Sequence, residues 1–177
     1  MAKTVLAPYL SVVFNKCMVK GVYHNSLKVA QVIPIHKKGD KSACTDYRPI
    51  YLLFQFNKIF ERILHHKLYS YLHDFELLTG HQFGFRPNSS MSLAVESLYS
   101  DLLHNNDNGL FTYFLFIDLS KAFVTVNYII LIKKLHQNYG LNGTVLHLFT
   151  SDLTNHKQYT AVNCAKSNCR NRACGIP

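Results

Sequence analysis

The sequence is poor in acid: ten Asp and Glu stand against nineteen Lys and Arg, for a formal net charge of +9. It contains no apolar stretch near the roughly 18 residues of a membrane span, so no membrane partner is expected. Between Met1 and Leu10 there is one lysine and no apolar run of secretory length, so no signal peptide is expected either. Five cysteines, at 17, 44, 164, 169 and 174, are an odd number with which to build a disulfide framework. Reduced thiols in an intracellular protein are the simpler expectation, with no sign of nucleus or cytoplasm. Cys164, Cys169 and Cys174 fall five apart, a spacing outside the common zinc patterns, and the ten histidines include no HExxH. The histidines are expected at the surface or satisfied. Internal repeats and low-complexity linkers are absent, and no pattern sets an oligomeric state.

What is present is a chain able to fold. Its 177 residues are about one domain, and 48% of them are apolar, which argues against a disordered basic tail. The positive charge is uneven: +7 over residues 1–90 and +2 over residues 91–177. A basic half on a folded domain suggests a polyanionic partner, nucleic acid being the commonest. A basic protein without such a partner is the alternative.

Hydrophobic spacing outlines the elements. Leu6, Leu10, Val13, Phe14 and Cys17 recur at helical intervals after Thr4, with Pro8 near the start and Gly21 as the stop. Lys28–Ile35 alternates and is β-branched, as strands are, and Pro34 within it predicts an edge position. His36–Lys41 (HKKGDK) is a basic turn. Phe56, Ile59, Phe60, Ile63, Leu64, Leu68, Tyr71 and Leu72 give one continuous helical face. Ser89 or Ser90 caps a helix through Leu103, with Leu93, Ala94, Leu98 and Leu102 inward. Asn105–Gly109 reads as a loop. Leu110–Ile117 (LFTYFLFI) is predicted to be a strand buried on both faces. Asn127 and Gly140 bracket a helix around Ile132 and Leu135; a further helix covers Thr144–Leu153, and Lys157–Asn163 is a strand. The fold class is α+β, in one or two lobes.

Four places could carry chemistry. Asp118 directly follows the apolar run, and a carboxylate ending a core strand is costly unless paired, with a divalent metal as one such partner. A capping Asp is the other reading. One carboxylate cannot hold two cations, and no adjacent pair of aspartates follows it. Lys37 and Lys38, with Arg48 ten or eleven residues on, supply the point charges and bidentate fork that a triphosphate takes. A solvated basic turn has the same appearance. Phe123, five residues past Asp118, is either core or an aromatic that excludes a ribose 2′-hydroxyl by bulk. Gln82–Pro87 (QFGFRP) places Gly84 between aromatics, permitting close backbone approach, with Arg86 able to meet phosphate. A loop plug with one surface Arg is its alternative.

Taken in order, VIPIHKKGD (Val32–Asp40), YRPIYLL (Tyr47–Leu53), QFGFR (Gln82–Arg86), FIDLSKAF (Phe116–Phe123) and CGIP (Cys174–Pro177) resemble successive motifs of reverse transcriptases of non-LTR retrotransposons, the LINE and jockey-like mobile elements. The helix before Gly21 and Asn138–Val162 are similar to the same family. The resemblance implies a right-hand polymerase that copies RNA, then DNA, into DNA from dNTPs with Mg²⁺, its partners an RNA template and a DNA primer. Residues 1–177 would be a partial reverse transcriptase domain: about 1–110 fingers and fingers–palm junction, about 111–177 partial palm truncated at motif B, with a small antiparallel sheet and packed helices. Asp118 would be the catalytic metal carboxylate at the end of a central strand, and the Leu119 carbonyl an auxiliary ligand. Lys37 or Lys38, and Arg48, would touch the incoming triphosphate. Phe123 would be the ribose gate, and Gln82 and Arg86 would lie near the template. The chain departs from the family at Val124, where an acid is usual, and at Tyr51, where a small Ser is usual. It stops at Pro177, before the family's Gln-Gly-Ser and paired aspartates. The expectation is a fragment without activity of its own, or a non-catalytic nucleic-acid-binding remnant of a decayed element.

Overall fold

The computed structural model describes residues 2–119, 122–123, 125–162 and 165–171. Among the described residues five α-helices and five short strands make an α+β chain: α1 (Ala2–Lys20), β1 (Val29–His36), β2 (Tyr47–Leu52), α2 (Gln55–Asp74), α3 (Met91–Asp107), α4 (Tyr128–Gln137), α5 (Gly143–Leu153), β3 (Lys157–Val162), β4 (Ala165–Lys166) and β5 (Arg170–Asn171). They divide into two compact units, one of residues 1–67 with 121–177 and one of residues 68–120.

In the first unit α1 and α2 meet through aromatic residues. Phe14 stacks on Phe60 with ring centroids 4.7 Å apart, and Tyr23 packs on the same ring at 5.0 Å. Leu27, Leu64 and Leu148 close the cluster, with Leu10, Cys17, Met18, Phe56 and Ile63 around it. Burying a ring such as Phe60 is worth roughly 1.5–3 kcal/mol, which is why this contact organises its surroundings. Gly21 ends α1 as predicted. Its φ of +65° lets Val22 N–H reach back to Cys17 O at 3.1 Å, a Schellman closure. A Cβ there would lie 2.8 Å from Thr144 O, so only glycine lets α1 end this close to the start of α5. Leu6 and Val13, two of the residues recurring at helical intervals, are 43% and 48% exposed, so only part of that repeat is covered.

The sheet runs β2-β1-β3-β4, with β5 also on β3. It is mixed, not antiparallel as expected: β1 pairs antiparallel with β2 but parallel with β3, Val29 opposite Lys157 through Val32 opposite Thr160. β1 is therefore central, and the edge position predicted from Pro34 is wrong. Pro34 is tolerated because pairing with β3 ends at Val32 and because it faces Pro49 on β2. Two residues without N–H groups can only face each other at a pair that exchanges no hydrogen bonds.

The second unit departs furthest from expectation. Ser90 caps α3 as predicted, its hydroxyl accepting from Leu93 N–H at 3.2 Å, but the helix runs on to Asp107 and none of its residues is buried. Leu93 and Leu98 are exposed and Ala94 and Leu102 only half-buried, so the inward face assigned to them is not one. Leu110–Ile117 is not a strand. Phe111 and Tyr113 are each 92% exposed, and Leu115, Phe116 and Ile117 are nearly as open. A strand with two apolar faces needs neighbours to take its N–H and C=O groups and a layer over each face. Among the described residues nothing pairs with it, and it is tied only at its start, by Leu110 N–H to Asn105 O and Asn105 to the Thr112 hydroxyl.

Candidate functional site

The basic turn is a hairpin loop built by two acids. Beyond the Ile35–Arg48 and His36–Tyr47 pairs, Lys37 N–H donates to Asp46 O at 2.9 Å. The Asp46 carboxylate accepts Asp40 N–H at 2.8 Å, and Asp40 in turn takes the Ser42 N–H and hydroxyl, which hold its carboxyl below the usual range. Gly39, at φ +89°, has no room for a Cβ, which would lie 2.2 Å from Asp46 Oδ2. Both carboxylates are thus spent on shaping the loop, and Lys37, Lys38 and Lys41 are left exposed. Arg48 is exposed on β2, one residue past the loop's closing pair. The structure brings Lys37, Lys38 and Arg48 onto one hairpin, as the sequence suggested. Tyr51, the departure from small Ser, sits half-buried opposite Val32 on the same hairpin.

Gln82 and Arg86 belong to the loop between α2 and α3. Gln82 folds back to donate to Gly84 O at 3.2 Å, and Arg86 Nη1 donates to Thr79 O at 2.7 Å. Gly84 shows no close approach: nothing lies within 4 Å of a Cβ built on it. The unusual backbone is one residue on, where Phe85 takes φ +59° and is 85% exposed. Left-handed backbone is uncommon outside glycine.

Asp118 and Leu119 end the extended apolar segment and are exposed. The expectation that Asp118 closes a central strand is overturned, because among the described residues the run before it has no strand partners. Phe123 is 56% exposed, and Val124 and Cys174–Pro177 lie outside the described residues. Three sets of candidates result: the cations of the β1–β2 hairpin in the first unit, Gln82, Arg86, Asp118 and Leu119 in the second, and Phe123 in the returning part of the first. No group of three or more metal-ligating side chains gathers among the described residues. One exposed carboxylate does not make a two-cation site, so the residues described do not fit the metal centre that the resemblance implies.

A buried polar cluster in the first unit escaped the sequence reading. Tyr23 Oη donates to Asn57 Oδ1, and Asn57 Nδ2 donates to Glu61 Oε1 at 2.7 Å. Tyr23 N–H donates to the Ser151 hydroxyl at 2.9 Å, and the His156 ring sits on Asp152 O. Burial, then the Glu61 charge, push Asp152 up to about 7, with Lys28 partly offsetting them. Burial also raises Glu61 and lowers Lys28, which is 2% exposed. Tyr23 is raised, first by burial and then by the two carboxylates. The connection from α1 to β1, helix α2, and α5 with the turn after it supply these groups, so no local spacing could have revealed the cluster.

Comparison with known proteins gives these placements a context. The family model described as reverse transcriptase (RNA-dependent DNA polymerase) matches residues 35–174. Among Drosophila melanogaster proteins, the chain is 31% identical over 116 residues to the probable RNA-directed DNA polymerase from transposon BS, covering 65% of this chain and 13% of that one. It is 28% identical over 170 residues to the probable RNA-directed DNA polymerase from transposon X-element, and 27% over 171 residues to that from mobile element jockey; each match covers 96% of this chain and 18% of the relative. The chain thus spans less than a fifth of the length of these relatives. The hairpin loop with Arg48, the QFGFR loop and the Asp118 segment all fall inside the matched range, and on that match the chain belongs to the reverse transcriptase (RNA-dependent DNA polymerase) family, in its LINE-like, transposon-borne branch.

Proposed function

We propose that these residues supply the nucleotide- and template-contacting part of an RNA-directed DNA polymerase. Residues up to about 110 act as fingers and those from about 111 as part of the palm, with an RNA template, a DNA primer and dNTPs as partners inside the cell. The β1–β2 hairpin carries the reading. With Asp40 and Asp46 engaged by the loop's own backbone, Lys37, Lys38 and the Arg48 fork are available to the oxygens of an incoming triphosphate. Gln82 and Arg86 face the template, and Phe123 excludes a ribose 2′-hydroxyl. Asp118, with the Leu119 carbonyl, contributes toward Mg²⁺, but the 177 residues contain no adjacent pair of aspartates to complete a two-cation site.

A second reading, a nucleic-acid-binding piece without catalysis of its own, is favoured by the exposure of Asp118 outside any strand. One pair of experiments separates the two. Filter binding to a primer–template at two ionic strengths should show affinity falling steeply with salt, with a log–log slope of roughly −0.7 to −0.9 per phosphate contact. Replacing Lys37, Lys38 and Arg48 by Ala should shrink that slope, and an affinity indifferent to salt refutes the hairpin as a docking surface. Primer extension by the 177 residues with Mg²⁺ and dNTPs should be undetectable, because positioned cations supply most of the rate in phosphoryl transfer. Robust extension would overturn the account of Asp118 and put the remaining ligands among Asp101, Asp107 and Asp152.

A further inference from the structure

The second unit holds a polar pocket of about 420 Å³ between the end of α2 and the loop before α3, within the size range of small-ligand sites. One wall is aromatic: Tyr69 and His73, a helical turn apart, have ring centroids 6.1 Å apart and tilted by 31°. Arg86 also lines the pocket, half-buried and anchored through Nη1 on Thr79 O, which leaves the rest of its fork for a ligand. Left-handed Phe85 and Asn88 (φ 59° each) turn the loop so that Arg86, Asn88 and Ser89 line the pocket. Asp74 lines it too, exposed and 3.6 Å from His73 Nδ1.

A phosphate would welcome Arg86 but not the Asp74 carboxylate. The arrangement calls for a flat, uncharged group that offers acceptors to a guanidinium and donors to a carboxylate. We infer that the pocket seats one unpaired nucleobase of a bound RNA strand, stacked on Tyr69 and read by Arg86 and Asp74. Guanine is the base that matches: O6 and N7 accept from an Arg fork, and its amino group donates to a carboxylate. Stacking on Tyr69 requires an open base face and the contact with Asp74 a free amino edge, so the nucleotide must be unstacked and unpaired. This inference deepens the template role proposed for Arg86 and rests on that reading.

Fluorescence anisotropy with the whole 177-residue chain tests it, using a short labelled oligouridine carrying one central guanosine, a central uridine or a central abasic site. The guanosine oligomer should bind at least roughly fivefold tighter than the abasic one, the lower end of the range expected of one stacked base. Tyr69→Ala and Asp74→Asn should each erase most of that difference while leaving the abasic oligomer's affinity and salt slope unchanged. Asp74→Asn is a change at an exposed side chain and guards against a folding artefact. Equal binding of guanosine and abasic oligomers overturns the pocket and spares salt-dependent binding by the hairpin. If Asp74→Asn tightens all three oligomers alike, the pocket takes a phosphate and the inference is wrong. Absence of binding to any oligomer removes both this inference and the template role beneath it.

Discussion

Phe60 stands in an amphipathic stretch (QFNKIFERIL) and Phe116 in an almost wholly apolar one (LFTYFLFI), and they meet opposite fates. Phe60 is fully buried between Phe14 and Tyr23, while Phe116 is 82% exposed, touching Phe114 with ring centroids 6.2 Å apart. The first lies in a unit assembled from segments distant in sequence, α1, α2, α5 and β3, which cover one another. The second lies in a continuous run of the chain, residues 68–120, whose helix α3 buries nothing. An apolar pattern states what a segment would gain from burial. Whether it gains it depends on other segments arriving.

The sharpest test of that contrast is a matched pair of truncations. Phe60→Ala should cost about 3–5 kcal/mol of unfolding free energy by urea titration, because it opens a cavity in the aromatic stack. Phe116→Ala should fall within about 0.5 kcal/mol of the parent. Similar losses from both would mean that Leu110–Ile117 is packed in solution.

Next in size is a pH effect confined to the packed unit. Asp152 ionises in the unfolded chain near its ordinary 3.8 but in the folded chain only near about 7. Between those values the folded state holds the extra proton, so stability falls as pH rises and levels off above about 7. Glu61, also raised, acts in the same direction, while the lowered Lys28 acts oppositely in the alkaline range, where stability rises with pH. Asp152 is only half-buried, so solvent screening trims the effect to about 2 kcal/mol between about pH 5 and pH 8. Asp152→Asn should flatten most of that slope in paired urea titrations.

The smallest effect belongs to the thin unit. Ser90→Ala should cost α3 about 1 kcal/mol, read as faster amide exchange over its first turns. The urea midpoint should shift less than the exchange rates, since little packing links α3 to global unfolding.

The helices were legible because their signals are local: Gly21 and Asn127 mark ends that the structure uses, and the Phe56–Leu72 face lies within α2. The hairpin that displays Lys37, Lys38 and Arg48 was legible for the same reason, since Gly39 and Asp40 announce a turn. Strand order was not. Pro34 suggested an edge only because the reading assumed neighbours along the whole of β1, whereas β3 stops at Val32. Leu110–Ile117 misled because composition cannot report missing partners, and Asp118 was misplaced with it. At the QFGFR loop Gly84 drew attention by its permissiveness, yet the chain bends at Phe85. The electrostatic influence of Lys28 and Asp152 on each other needed residues that only tertiary structure brings together.

The parallel pairing of β1 with β3 also sets a timetable. Val29 waits for Lys157, and Tyr23 for Ser151, each 128 residues further along the chain. At about 5–20 residues per second, a ribosome needs roughly 6–25 s to supply them. Throughout that interval a nascent β1–β2 hairpin presents an open strand edge, while Lys28 and Tyr23 have yet to receive the α5 groups they are buried against. Closure at such long separation also raises the contact order, which slows folding relative to the local helices around it. During synthesis, therefore, this unit depends on whatever shields that edge until β3 emerges.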